Sequence, residues 1–243
     1  MLQQFEEYVK KYNLEDMHVK YKYNHSIRVE KICEALAKSL NFNDEDTYIM
    51  KTIGLLHDIG RFEQFKLTGG YSDAEFDHGA YGAMILFKEG LIEKFDVDPK
   101  YYDIMEFAII NHNKYAIEEV NDNRKMLFAR VLRDADKLDK FDAYTYLKAY
   151  NITDIDDEVT NEVTIQFKKL ESINRKIRRT KADLLISIIA FIFDINFKES
   201  FDIIFEQKYL DKLYNQINDR ERFKEYFDIA ACYVEEQVKE LVG

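Results

Sequence analysis

Lys51-Thr52-Ile53-Gly54-Leu55-Leu56-His57-Asp58-Ile59-Gly60-Arg61-Phe62-Glu63-Gln64 is the stretch on which the reading of this chain turns. Ile49, Ile53 and Leu56 recur at helical spacing, so a helix over about 45–58 turns one face to a core. That apolar run ends in a histidine and an aspartate side by side. A buried carboxylate is costly unless it is paired or coordinates a metal. A transition-metal ion is the partner that accepts imidazole nitrogen and carboxylate oxygen together. Gly60 reads as the stop of this helix. Residues 61–76 read as a loop with a Gly69-Gly70 hinge, exposing Arg61.

The remaining ligands are sought on neighbouring helices. Upstream, a helix over about 22–40 carries Val29, Ile32, Leu36 and Leu40, and the stripe extends back to His25, with Arg28 one turn on. Asn43-Asp44-Glu45-Asp46 supplies a cap for the helix that ends in His57-Asp58. Downstream, Ser72 and Glu75 have capping-box spacing, so a helix starts there or at Asp77 and holds His78 in its first turns. Gly79, Ala80, Gly82 and Ala83 let that helix approach its neighbours closely. Asp98-Pro99 starts another, in which Ile104 and Ala108 lead to His112, and Asn111-His112-Asn113-Lys114-Tyr115 closes it. A helix from about 123 carries Leu127, Phe128, Val131, Leu132 and Ala135. In its Asp134-Ala135-Asp136-Lys137-Leu138-Asp139 run, only Asp136 has the placement to look inward, the other acids reading as a solvated face. The fifth histidine, His18, sits in a charged connector and reads as a surface or loop residue.

Bulk properties narrow the class. The chain has 243 residues, 47% of them hydrophobic, which is enough for a real core. One proline and 8 glycines leave few interruptions, and the apolar spacing is mostly three-and-four, which points to an all-α fold. A formal net charge of -11 argues against general nucleic-acid binding, while a few local cations can still hold a small phosphorylated molecule. Cys33 and Cys232 lie far apart on apolar stripes and read as buried thiols of a reducing compartment. No apolar run reaches the ~18 residues of a membrane span and the N-terminus lacks a signal peptide, so the expectation is a cytoplasmic protein without membrane contact. Helices near 158–172, 182–195, 199–206 and 219–241 follow an acidic connector at 151–157, and none holds a histidine. The basic cluster Arg175–Lys181 reads as a solvated helix end facing the chain's own acids. The expected organisation is a core over 1–150 and a C-terminal helical extension over 151–243.

The order His25, His57-Asp58, Asp136 resembles the HD-domain superfamily of metal-dependent phosphohydrolases. His-Asp-Ile-Gly-Arg at 57–61, Asp-Ala-Asp-Lys-Leu-Asp at 134–139 and His-Ser-Ile-Arg-Val at 25–29 are similar to its motifs, and the likeness covers about 20–145. It implies a helical bundle in which His25, His57, Asp58 and Asp136 hold one ion. His78 and His112 match the further histidines of the bimetallic branch, in which Asp58 would bridge. The Gly-Tyr-Pro signature of the cyclic-dinucleotide phosphodiesterases is missing. The implied activity is hydrolysis of a phosphate ester of a nucleotide or other small phosphorylated metabolite, through a metal-bound hydroxide. Two ions about 3.5–4 Å apart clamp the attacking and leaving oxygens of such a reaction. Asp58, Arg61 and Lys137 are the catalytic candidates. Arg61 and Lys137 adjoin ligands and suit phosphate oxygens, with Arg28 and Lys114 as further substrate contacts. Four imidazoles favour manganese, iron, cobalt or nickel over magnesium. A di-iron oxygenase of the same ligand order and a catalytically inactive nucleotide-binding module are the competing readings, and homo-oligomerisation is left open.

Overall fold

The computed structural model describes residues 1–72, 76–141 and 152–240. Helices make up most of them, with no strand among the described residues. The all-α fold read from the spacing is therefore what forms. The chain divides into two compact units, Met1–Asp136 and Lys137–Gly243. The boundary expected at 150/151 falls within 142–151, outside the described residues.

The first unit is built on two paired helices. Helix α2 (Met17–Ser39) begins at Asp16, whose carboxylate accepts from the amides of His18 and Val19. Helix α3 (Asp44–Leu56) begins at Asn43, and its first turn holds Asp44, Glu45 and Asp46, which complement the positive end of the helix. The two pack along Val29, Cys33 and Leu36 on one side and Met50, Ile53 and Gly54 on the other, all buried. Gly54 sets their approach, since a Cβ there would lie 2.8 Å from Cys33 Sγ and 2.9 Å from the Val29 carbonyl oxygen. Helix α1 (Leu2–Val9) closes one end with Phe5, Tyr8 and Val9. His18 is not in a loop: it lies in the first turn of α2, half-buried against the rings of Phe65 and Tyr71.

The structure corrects the reading of 61–76. Gly60 is not a stop, because the chain breaks only at His57-Asp58 and resumes as α4 (Ile59–Thr68). Gly69, with φ 69°, ends that helix in a left-handed cap. Arg61, read as exposed, is buried, and so is Gln64. Arg61 Nη1 donates to Gln64 Oε1 at 2.7 Å and to the Tyr71 carbonyl at 2.9 Å, while Gln64 Nε2 donates to the Ser72 carbonyl at 2.7 Å. The expected capping partner Glu75 lies outside the described residues. Helix α5 (His78–Ala83) begins at the second candidate, Asp77, whose side chain accepts from the Ala80 amide, and runs on as a π-turn over Met84–Lys88. Its small residues serve close packing: a Cβ on Gly60 would meet the His78 carbonyl oxygen at 2.3 Å and the Gly82 nitrogen at 2.9 Å.

Asp98-Pro99 opens a 3-10 turn (Pro99–Tyr101) that leads into α6 (Tyr102–Asn111). Helix α7 (Asn123–Phe141) follows and contributes Asp136 to the first unit and Lys137 to the second. Its charged run is not a solvated face. Arg133, Asp134, Asp136, Lys137 and Asp139 are all buried. Arg133 reaches the carbonyls that end α6, donating to those of Asn111 at 3.1 Å and Lys114 at 2.6 Å. It thereby satisfies acceptors that the end of a helix leaves open.

The second unit holds α8 (Asn161–Lys168), α9 (Lys181–Ile189) with a 3-10 continuation over Ala190–Asp194, α10 (Lys198–Glu206), α11 (Tyr209–Tyr214) and α12 (Lys224–Glu240). Helix α11 is too short to show a period and goes unseen in the sequence. The segment read as an acidic connector is anchored. Ile152 and Ile155 are buried, and Arg222 donates to the carbonyls of Ile155 and Asp157. Asp183 completes a capping box with Thr180 at the start of α9. Lys181 and Ala182 give their backbone amides to Asp157, so the basic cluster meets the chain's own acids through main-chain groups. Cys33 is buried as expected, but Cys232 is exposed, because the stripe of α12 that faces the unit runs through Ala230 and Val234 instead.

Candidate metal centre

The structure brings His25, His57, His78 and His112 close together, and most of these are placed by helix ends. His57 is the C-cap of α3 and His112 that of α6. The last carbonyls of a helix have no partner within it. The Nδ1 of each ring meets such a carbonyl three residues back, Gly54 at 2.8 Å for His57 and Ile109 at 2.6 Å for His112. A proton on Nδ1 makes these hydrogen bonds and turns the Nε2 lone pair toward the centre. His78 opens α5, with its Nδ1 3.3 Å from Asn113 Nδ2. His25 comes from the body of α2 and Asp136 from α7.

Asp58 joins the two halves. At the N-cap of α4, an aspartate ordinarily spends its carboxylate on backbone amides, yet Asp58 makes no such bond. Its Oδ2 faces His25 Nε2 at 3.4 Å and His57 Nε2 at 3.7 Å. Its Oδ1 faces His78 Nε2 at 3.2 Å and His112 Nε2 at 3.4 Å. Asp136 Oδ1 completes the first half, 3.2 Å from His25 Nε2 and 3.7 Å from His57 Nε2. Within each half the imidazoles stand close, at 3.3 Å between the Nε2 atoms of His25 and His57 and 3.0 Å between those of His78 and His112.

This donor set fits a metal ion. Ligands on bonds of about 2.1 Å, at angles between octahedral and tetrahedral, are separated by about 3.0–3.4 Å, and the separations above bracket that range. The groups His25, His57, Asp136 and His57, Asp58, His112 each bring ligand atoms within 4.8 Å of one another. All six side chains are buried, with His25 and His57 fully enclosed. Burial would push the Asp58 carboxyl up, but the Lys22 ammonium and the surrounding histidines hold it well below the usual carboxylate range. Burial drives the His112 imidazole down to about 3, against the pull of its hydrogen bond to Asp58. His112 is therefore a neutral ring with a lone pair to give.

A pH dependence follows for the metal-free protein. The folded state refuses a proton that the unfolded His112 takes up below its ordinary value of 6.5, so the unfolded state gains as pH falls from 6.5 toward about 3. The loss is about 1.4 kcal/mol per pH unit. Asp58 adds nothing there, since its contribution is complete above its ordinary value of 3.8 and is lost only well below it. Urea midpoints of chelator-treated protein should correspond to about 2 kcal/mol less stability at pH 5 than at pH 7. Equal midpoints would show that His112 is not held neutral.

The cationic candidates separate. Arg61 is buried with Nε 3.7 Å from Asp58 Oδ1 and its guanidinium over the Tyr71 ring. Lys137 is buried too, but its amine pairs with Asp194 at 2.8 Å, inside the second unit. Arg28 packs over the Tyr21 ring, which stacks on His25. Lys114 lies 3.8 Å from Glu118. Sequence reasoning missed Lys22, whose Nζ donates to Asp58 Oδ2 at 2.7 Å with both groups buried. It stands three residues before His25, the same one-turn relation that flagged Arg28, in the opposite direction. That spacing was the available signal.

Residues 23–140 match the family model described as HD domain. No curated protein and no solved structure matches the chain. No helix among the described residues is long and apolar enough to cross a membrane.

Proposed function

Residues 23–140 are an HD domain, and on that premise we propose that this protein is a metal-dependent phosphohydrolase acting on a nucleotide or other small phosphorylated metabolite. HD domains are generally metal-dependent phosphohydrolases, although some are non-hydrolytic. The observation that supports a two-ion centre is the division of Asp58, with each carboxylate oxygen turned to its own pair of imidazoles. His25, His57, Asp136 and Asp58 Oδ2 would hold one ion, and His78, His112 and Asp58 Oδ1 the other. Four imidazole donors suit manganese, iron, cobalt or nickel better than magnesium. Divalent ions so held supply Lewis acidity and lower the pKa of a water.

The chain's own residues do the rest. The carbonyls of Gly54 and Ile109 keep the Nδ1 protons of His57 and His112 in place, so neither ring needs to reorient during turnover. Arg61, fixed by Gln64 and the Tyr71 carbonyl, aims its charge at the Asp58 side, where it can offset the negative charge of a phosphoryl group. Burial of this cation and of the ligands excludes bulk water and strengthens each interaction. Lys137 has a weaker claim on the substrate, because Asp194 already neutralises it.

The test is elemental analysis of anaerobically purified protein, followed by a phosphate-release screen over nucleotides and phosphorylated metabolites. Two metal equivalents and chelator-sensitive phosphate release are expected. A metal-loaded protein that releases no phosphate but consumes oxygen would overturn the reading in favour of redox chemistry. His78→Ala should lower the metal content from two equivalents to one; an unaltered content would mean that the His78 side holds no ion.

A further inference from the structure

Lys22 is the one strong cation contact of Asp58 that the ligand set leaves without a role. Among the described residues, Asp58 is its only hydrogen-bond acceptor, at 2.7 Å, and the lysine is 4 % exposed. The ammonium meets Oδ2, the oxygen that also faces His25 and His57. An ion bound by those two rings would need the same oxygen. Lys22 and such an ion are thus two cations for one place.

We propose that Lys22 is a place-holder for a metal ion on Asp58 and, once that ion is bound, a binding group for the phosphoryl oxygens of the substrate; this rests on the two-ion reading above. The first half follows from charge. A buried carboxylate needs a cation beside it to stay folded without metal, and Lys22 provides it. The second half follows from confinement. Lys22 sits one turn before His25 on α2, with its amine over the rings of Tyr21 at 5.7 Å and Tyr71 at 5.5 Å. Displaced from Oδ2, the amine is still held between those rings and stays close to a doubly charged ion. An anion between them relieves that repulsion. Arg61 faces the same Tyr71 ring at 5.8 Å and the opposite oxygen of Asp58 at 3.7 Å. The two cations therefore flank the carboxylate, as the walls of a phosphoryl site would.

The test compares wild type with Lys22→Met and Lys22→Gln, using Mn²⁺ as the metal and inorganic phosphate as the anion. Free Mn²⁺ is followed by electron paramagnetic resonance, phosphate binding to the Mn²⁺-loaded protein by calorimetry, and Tm with and without Mn²⁺. Both variants should bind Mn²⁺ about tenfold or more tightly, because the competing cation is gone, and bind phosphate about tenfold more weakly. Their Tm should fall only in the absence of Mn²⁺. Equal or weaker Mn²⁺ affinity in both variants overturns the place-holder role, and unchanged phosphate affinity overturns the anion role. If Lys22→Met folds only with Mn²⁺, the place-holder role is supported; if it does not fold at all, Lys22→Gln, which keeps a donor toward Asp58, decides by the same affinities. Wild type that binds no Mn²⁺ would instead sink the two-ion reading itself.

Discussion

Asp58→Asn is expected to remove both metal ions and to lower phosphate release by about a thousandfold or more, a barrier increase of ~4 kcal/mol. The expectation follows from the position of this one carboxylate. Its two oxygens serve the His25/His57 side and the His78/His112 side together, so no other single ligand affects both. The substitution keeps the shape of the side chain but replaces one oxygen with a donor and removes the charge. Loss of one equivalent with retention of the other would show that Asp58 does not bridge. A second effect is predicted in the metal-free protein. Lys22 is left buried opposite a neutral amide, and breaking a buried ion pair on one side costs about 3–5 kcal/mol. Adding Lys22→Met to Asp58→Asn should recover most of that loss, since a buried charge without its partner is the source of the penalty. Chemical denaturation of the four proteins in chelator, as a double-mutant cycle, measures it. A double variant no more stable than Asp58→Asn alone would show that the pair contributes little to the fold.

Gly60→Ala is expected to destabilise the protein by about 3 kcal/mol and to empty the His78 side of the centre. The added methyl would meet two backbone atoms, the His78 carbonyl oxygen at 2.3 Å and the Gly82 nitrogen at 2.9 Å. Neither can rotate away as a side chain could, so α5 must move as a body. His78 is its first residue, and its ring would be carried off Asp58 Oδ1. The measurement is the urea midpoint together with bound Mn²⁺. Gly70→Ala is the control, because nothing lies within 4 Å of that Cβ position, and it should change stability by less than about 1 kcal/mol. Equal midpoints for the two variants would refute the close crossing of α4 and α5.

The legibility of this chain follows the physics of each feature. Apolar stripes repeat with the helix itself, so α2, α3, α6 and α7 stand near where the spacing puts them. His57, His112 and Asp136 extend those stripes by a turn, which is why they could be seen to face inward. Gly60 misled because a glycine ends a helix in one context and permits a close crossing in another, and only the neighbour decides. Arg61 misled because its burial depends on the Tyr71 carbonyl and on Gln64, itself held by the Ser72 carbonyl, and backbone carbonyls are acceptors any sequence carries. The acids at 134 and 139 misled for a related reason, since a charge run reads as solvated until the burial around it is known.

By itself the sequence determined an all-helical chain and picked out six side chains as candidate ligands, because periodicity and rarity are local properties: few histidines, three of them continuing an apolar stripe. Only the tertiary structure decided how those side chains divide, with one oxygen of Asp58 turned to each pair of imidazoles, and that Lys22 meets the Asp58 carboxylate. Such choices depend on distances of about 3 Å between atoms far apart in the chain, and helix packing alone sets them.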